Sequence, residues 1–189
     1  MTTFYDLFMA PLEKRWLTDI RKSIMPSASG KVLEIGFGTG VNLQYLDCDQ
    51  IDSVTALDLD FRKTNAKCAK DNITFVKGKA EQLPFPDASF DTVIETLVLC
   101  SVSDLETALR EIMRVLKPKG RFIYIDHVLP DEKALATLFK GINHFWPHIA
   151  SGCNVTRTPH LSIARHEVDH IESGHRAHTV FRYGIVTKH

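Results

Sequence analysis

The chain has 189 residues, of which 44% are hydrophobic, enough to bury the core of one domain. Its 23 lysines and arginines balance its 23 aspartates and glutamates, so no overall charge favours nucleic acid or an anionic membrane as a partner. No apolar run approaches the roughly 18 residues that a spanning helix needs, and no secretory signal begins the chain. We therefore expect a single cytoplasmic domain over residues 1–189 that is not stably inserted in a membrane.

The first 25 residues carry apolar side chains at mostly helical spacing, from Phe4 through Trp16 to Ile24, with Pro11 between two segments. This periodicity predicts an amino-terminal helical cap. A plain packing helix explains the same spacing, because periodicity reports burial and not a task.

Residues 31–40 predict a buried strand that breaks into a glycine-rich turn and then opens a helix. The glycines are Gly36, Gly38 and Gly40, and such a turn presents backbone N–H groups to a nucleotide-like ligand. Val41 occupies the position where a dinucleotide fingerprint needs glycine or alanine. Glu34 would repel a pyrophosphate but attract an ammonium or a sulfonium. An ordinary glycine-rich turn is the alternative.

Residues 51–57 predict a second strand, which ends at Asp58 and leads into a helix through about Ala69. An acidic residue at this distance after the glycine turn can accept hydrogen bonds from ribose hydroxyls. A helix N-cap is the alternative for Asp58, although Asp60 fits that position better.

The sequence resembles the class I S-adenosylmethionine (SAM) methyltransferases. Glu34 with the three glycines is similar to their first motif, and residues 78–91 are similar to the second motif of the ubiquinone and menaquinone C-methyltransferases. The resemblance implies SAM as cofactor. One departure is Lys79, where the family usually carries an aspartate for the adenine amino group, because a lysine cannot accept that bond. The positions implied to bind SAM are Glu34, Gly36, Gly38, Gly40, Asp58, Leu59, Ala80, Glu81 and Thr96.

Two further segments resemble one branch of that family, the small thiol S-methyltransferase-like proteins. They are residues 96–102, from Thr96 to Val102, and residues 152–157, from Gly152 to Arg157. The branch implies a small-molecule acceptor, with a thiol as first choice. A C- or N-methyltransferase for a quinone precursor or lipid amine, a SAM-binding interaction module and an NAD-linked oxidoreductase remain alternatives, and the oligomeric state stays open.

The remaining pattern predicts an α/β fold with helices on both faces. A third strand over 73–76, a fourth over 89–95, a helix over 105–116, a fifth strand over 121–128 and two last strands over 165–171 and 178–186 are expected, the last two joined by a turn at 172–175. The resemblance implies a Rossmann-like, seven-stranded, mostly parallel sheet in the order 3-2-1-4-5-7-6, with the last strand antiparallel.

Methyl transfer to a thiol is helped by a base, because the thiolate is the nucleophile. Asp126 and His127, at the end of the fifth strand, and His148 are the candidates, although His127 can equally be a packed histidine. A methylated Cys153 is disfavoured, since direct transfer needs no covalent step, and Cys100 is expected to pack. Asn154 and Arg157 are expected to fix a loop or to hold a polar acceptor group.

No metal is expected. The histidines of the carboxyl end lack a recognisable ligand spacing and are assigned to the surface; they are His160, His166, His170, His175 and His178. The four cysteines have no Cys-x-x-Cys pair, which predicts reduced thiols at Cys48, Cys68, Cys100 and Cys153.

Overall fold

A computed structural model describes residues 16–60, 72–150 and 152–189, and it contains a seven-stranded sheet. The strand order is β3-β2-β1-β4-β5-β7-β6, with β7 antiparallel to both of its neighbours and the other paired strands parallel. The predicted topology is confirmed. The strands are β1 Gly30–Ile35, β2 Ile51–Asp58, β3 Ile73–Lys77, β4 Phe90–Thr96, β5 Leu116–His127, β6 Val168–Arg176 and β7 Phe181–Lys188.

Five α-helices and three short 3₁₀ segments accompany the sheet in the described ranges. The helices are α1 Thr18–Ile24, α2 Leu105–Val115, α3 Lys133–Ile142, α4 Trp146–Ile149 and α5 Pro159–Ile163. The 3₁₀ segments are Met25–Ser27, Val41–Tyr45 and Cys48–Gln50. None of the helices in these ranges has both the length and the apolar character needed to cross a bilayer.

The central strands are buried on both faces because successive side chains of a strand point to opposite sides. One face of β1 places Val32 in a cluster with Ile20 and Ile24 of α1. The other face places Leu33 in a cluster with Leu109 of α2. Helices therefore cover both faces of the sheet. The carboxyl ends of the strands remain accessible for a ligand site.

Helix α2 begins and ends where local chemistry dictates. The Asp104 side chain accepts hydrogen bonds from the N–H groups of Glu106 and Thr107, which caps the first turn. The helix ends at Val115, and β5 begins at Leu116, five residues before the predicted start. The early start follows from a bulge, since Phe90 pairs with Leu116 while Thr92 already pairs with Arg121.

Two local predictions are wrong. The glycine turn opens a 3₁₀ segment, Val41–Tyr45, and not an α-helix. The hairpin before β7 does not turn at residues 172–175, because β6 runs through them; it turns at Ala177, His178 and Thr179, which have φ values of 53°, 51° and 68°. Gly174 lies within β6, and a Cβ at this position would collide with the Tyr183 side chain on the facing strand.

Parts of the predicted amino-terminal cap and second helix lie outside the described residues, namely 1–15 and 61–71. The described part of the first segment is buried in the core through Leu17, Ile20 and Ile24. A capping role, and a single domain over the whole chain, stay predictions. The expectation of four reduced thiols is wrong for Cys48, which is disulfide-bonded; Cys100 and Cys153 are free.

Candidate active site

The glycine turn after β1 is fastened to the end of β2. The N–H groups of Gly36 and Phe37 both donate to the Leu57 carbonyl, over 2.8 and 3.2 Å. Gly36, Gly38 and Gly40 have φ values of 70°, 54° and 76°, a region that side chains with a Cβ rarely adopt. A Cβ at Gly36 would also collide with the Val98 side chain, so the turn lies directly against the loop that follows β4.

Asp58 closes the turn from the end of β2. Its Oδ2 accepts a 2.8 Å hydrogen bond from the Gly38 N–H, and its Oδ1 accepts a 3.1 Å bond from the Asp60 N–H. Each carboxylate oxygen has a further lone pair, so these bonds leave capacity for ligand hydroxyls.

Glu34 lies beneath the turn at one end of a buried polar chain that is centred on Asn42. The Asn42 amide donates to Glu34 Oε1 over 2.9 Å and to Thr96 Oγ1 over 3.1 Å, and the Arg21 Nε–H donates to Asn42 Oδ1 over 2.7 Å. Glu34 Oε2 is buried and has no partner among the described residues. Burial raises the pKa of Glu34 to about 8, and the Asn42 hydrogen bond opposes the rise.

Sequence reasoning missed both partners of Glu34. Asn42 lies two residues after Gly40, and a polar side chain so close to the glycine turn could have indicated a contact with Glu34. Arg21 precedes β1 in a helix, and nothing in its local sequence indicates that it reaches this buried chain.

A cleft of about 220 Å³ opens beside the turn, at the carboxyl ends of β1 and β2. It brings together five of the residues expected to bind the cofactor: Gly36, Asp58, Leu59, Ala80 and Glu81. Lys79 and Ser101 also line it. Glu81 Oε1 accepts a hydrogen bond from the Ser103 N–H over 2.6 Å, which ties the cleft to the loop after β4. Glu34, Gly38, Gly40 and Thr96 lie outside the cleft lining and support it.

A second, apolar cavity of about 350 Å³ lies near the carboxyl end of β5. Aromatic side chains dominate its wall, and the His127 ring stacks against Phe181 with centroids 4.6 Å apart. Of the three base candidates, only His127 lines this cavity. The lining residues are Trp16, His127, Phe139, Ile142, Trp146, Val155, Ala177, His178, Val180 and Phe181.

The other two base candidates lie elsewhere. Asp126 is buried, and its Oδ1 accepts a 3.1 Å hydrogen bond from the Cys100 N–H. Burial raises the pKa of both Asp126 and Glu95, and the neighbouring Asp126 carboxyl group raises the pKa of Glu95 further. His148, on α4, is exposed and lines neither the cleft nor the cavity.

Cys100 and Cys153 meet next to His127. Their Sγ atoms are 3.4 Å apart, and Cys153 Sγ is 3.7 Å from His127 Nδ1. The hydrogen bond between the two cysteine sulfurs, assisted by His127, lowers the pKa of Cys153 against the effect of burial. Sequence reasoning expected Cys100 only to pack and did not foresee this pairing.

The segment around Cys153 is bonded to the loop around Cys100. The Arg157 guanidinium donates to the carbonyls of Leu99 and Val102, over 3.0 and 2.6 Å, and the Asn154 N–H donates to the Cys100 carbonyl over 2.8 Å. Arg157 thus fixes a loop, which was one of its two expected roles.

Comparison with known proteins decides the family. A family profile described as a methyltransferase domain matches residues 33–124. Human thiol S-methyltransferase TMT1A is 31% identical over 175 residues, which cover 87% of this chain and 70% of that protein. The chain belongs to the class I SAM-dependent methyltransferases. SAM is therefore the methyl donor of this methyltransferase, and it is related to the thiol S-methyltransferases.

Other relatives of this methyltransferase agree on the family. The ubiquinone/menaquinone C-methyltransferase UbiE of Rickettsia massiliae is 29% identical over 147 residues, which cover 71% of this chain and 59% of that protein. The crystal structure of YcgJ from Bacillus subtilis matches with a TM-score of 0.65 at 25% identity, over 85% of this chain and 71% of that one. The cytoplasmic location of this methyltransferase stays a prediction.

Proposed function

We propose that this methyltransferase transfers the methyl group of SAM to the sulfur of a small lipophilic thiol. The observation that carries this proposal is the apolar cavity that ends on His127. A wall rich in aromatic side chains and without aspartate, glutamate, lysine or arginine favours an acceptor with a hydrophobic body, and the His127 imidazole in that wall favours one polar atom on the acceptor. The similarity to TMT1A supports sulfur as that atom.

SAM supplies an electrophilic methyl group on a positively charged sulfonium. In the proposed arrangement Asp58 binds the ribose hydroxyls, the backbone at Ala80 borders the adenine, and the glycine turn admits the methionine part close to the backbone. Glu34, ionised when a cation approaches, stabilises the ammonium group through its field.

The loop after β4 contributes residues to both compartments. Val98 and Ser101 line the cofactor cleft, whereas Cys100 packs with Val155 and Trp146 of the acceptor cavity. A thiol held in the cavity and a cofactor held in the cleft therefore both lie against this loop. The protein's contribution is to align the two reacting sulfurs and to exclude water. His127 contacts the acceptor sulfur, and Asp126 holds the Cys100 backbone in position.

Acceptors that share one skeleton test the proposal sharply. The protein is incubated with methyl-labelled SAM and an aryl thiol, the matching phenol or the matching aniline, and the products are identified by mass spectrometry. We expect the S-methyl product alone, and a much lower rate with a zwitterionic thiol such as cysteine. Transfer only to an amine or to a quinone-precursor carbon would contradict the thiol assignment. Tight SAM binding without transfer to any acceptor would indicate a binding module.

A further inference from the structure

Three metal-binding side chains converge beside the acceptor cavity, and one of them, His127, lines it. One ligand atom each from Cys100, His127 and Cys153 lies within 4.8 Å of the other two, and all three residues are buried. No other group of three or more such donors occurs in residues 16–60, 72–150 and 152–189. The carboxyl-terminal histidines, where a metal was considered from the sequence, do not form one within these ranges.

The separations match those of a tetrahedral zinc site. Zinc binds thiolate sulfur at about 2.3 Å and imidazole nitrogen at about 2.0 Å, which places neighbouring ligands roughly 3.5–3.8 Å apart. The two sulfurs here are 3.4 Å apart, and Cys153 Sγ is 3.7 Å from His127 Nδ1. For these two pairs an ion can enter with shifts of a few tenths of an ångström, and the third pair, Cys100 Sγ and the His127 nitrogen, lies within 4.8 Å.

The loops that carry the donors are already fixed. The Cys100 N–H donates to Asp126 Oδ1, and the Cys100 carbonyl accepts from the Asn154 N–H. Arg157 fastens the same loop through Leu99 and Val102. Donors held by hydrogen bonds from the surrounding shell lose little freedom when an ion binds, which favours affinity.

The donor set also has an open side. Three protein ligands with one free position are the arrangement of catalytic zinc sites, whereas structural sites use four. His127 lines the acceptor cavity, so one of the three ligands borders the space assigned to the proposed acceptor. Thiolate and imidazole ligands suit zinc, and two thiolates balance its charge within this apolar cluster.

We propose that Cys100, His127 and Cys153 bind a zinc ion whose fourth position takes the sulfur of the acceptor thiol. The ion site stands on the donor geometry alone, whereas its role rests on the proposed function. The thiol releases its proton to solvent on binding the ion, and the bound thiolate forms a bond to the methyl carbon. The carbon–sulfonium bond breaks, and its electron pair stays on the sulfur of S-adenosylhomocysteine. The neutral thioether is a poorer ligand and leaves.

Cobalt titration tests the site without any activity measurement. The full chain is reduced, stripped with a chelator and titrated with Co²⁺ under anaerobic conditions. We expect one Co²⁺ per chain, with a thiolate-to-cobalt charge-transfer band and visible bands of a tetrahedral ion, both removed by one equivalent of Zn²⁺. Cys153→Ser and His127→Ala weaken Co²⁺ binding at least about tenfold. His144→Ala, at an exposed histidine between α3 and α4, leaves it unchanged, and SAM titration verifies that each variant is folded.

The wild-type protein alone decides the matter if a variant fails to fold. Absence of stoichiometric Co²⁺ binding by reduced wild type overturns the site, as does a Cys100–Cys153 disulfide that persists under reduction. Restoring zinc to the stripped protein raises thiol methylation at least about tenfold; an unchanged rate overturns the role of the ion. Thiol methylation without metal binding would support the proposed function and overturn the metal site. Metal binding without any thiol methylation would support the metal site and overturn the proposed function.

Discussion

The Gly38 N–H donates a 2.8 Å hydrogen bond to the carboxylate of Asp58, 20 residues further along the chain. This bond joins the turn after β1 to the end of β2, two parallel neighbours whose carboxyl ends meet at one edge of the sheet. The two parts of the sequence that are expected to bind opposite ends of the cofactor thus form one connected surface.

Replacing Asp58 by asparagine should weaken SAM binding by about 10- to 100-fold. A hydrogen bond to a charged group contributes about 1.5–3 kcal/mol, and the neutral amide also offers only one acceptor oxygen where the carboxylate offers two. Isothermal titration calorimetry with SAM measures the change. Asp60→Asn is the matched control at an exposed acid two residues away. Equal affinities for the two variants would rule out ribose binding by Asp58.

SAM binding at pH 7 should release protons, because Glu34 changes its ionisation. Burial raises the pKa of Glu34 to about 8, so the free protein carries this carboxyl mostly protonated at pH 7. A cationic ligand nearby favours the ionised form and lowers the pKa, which expels the proton. The release should be largest between about pH 5 and 8 and vanish above that range, where Glu34 is already ionised.

Calorimetry in buffers of different ionisation enthalpy measures this proton release. Glu34→Gln keeps an oxygen for the Asn42 amide but has no proton to lose. The part of the buffer dependence of the binding heat that comes from residue 34 should therefore disappear in this variant. If wild type and Glu34→Gln release the same number of protons, Glu34 does not respond to the cofactor.

Alanine at Gly36 should destabilise the protein more than alanine at Gly38. Both positions have positive φ, which costs an ordinary residue about 1–2 kcal/mol. The new Cβ at Gly36 also collides with Val98, which adds about 1–3 kcal/mol, whereas at Gly38 the nearest atom is the Gly36 carbonyl oxygen at 3.9 Å. Urea unfolding compares the two variants. Adding Val98→Ala should recover part of the loss at Gly36 alone, and no recovery would show that contact with Val98 is not the cause.

Truncating Phe139 to alanine should raise the KM for a lipophilic thiol about fivefold, since removing part of an apolar wall costs roughly 1 kcal/mol. Phe139 lines the acceptor cavity, and Leu138 on the same helix is exposed and does not. Leu138→Ala should therefore leave the KM unchanged, and neither variant should alter SAM affinity. A rise for Leu138→Ala alone would place the acceptor outside this cavity.

Much of the cofactor cleft could be predicted, because the residues that form it are recognisable from short stretches of sequence. A short run of three apolar residues around Glu34, glycines that readily tolerate positive φ, and an acid at the next strand end mark a strand, a turn and a ligand-facing carboxylate before any packing is known. The sheet order came from the family resemblance, since periodicity does not tell which strands pair.

The arrangement of the acceptor cavity and of the cysteines beside it became visible only in the tertiary structure. The sulfurs of Cys100 and Cys153 meet across 53 residues of sequence, and Cys153 meets His127 across 26, although each cysteine taken alone indicates only a small buried side chain. His148 lies only five residues before Cys153 in the sequence, yet its side chain is exposed. The hairpin turns at residues 177–179, beyond Gly174, and the ring of Tyr183 on the facing strand occupies the space beside that glycine. Such contacts depend on how loops and strands pack against one another, and no single stretch of sequence carries that information.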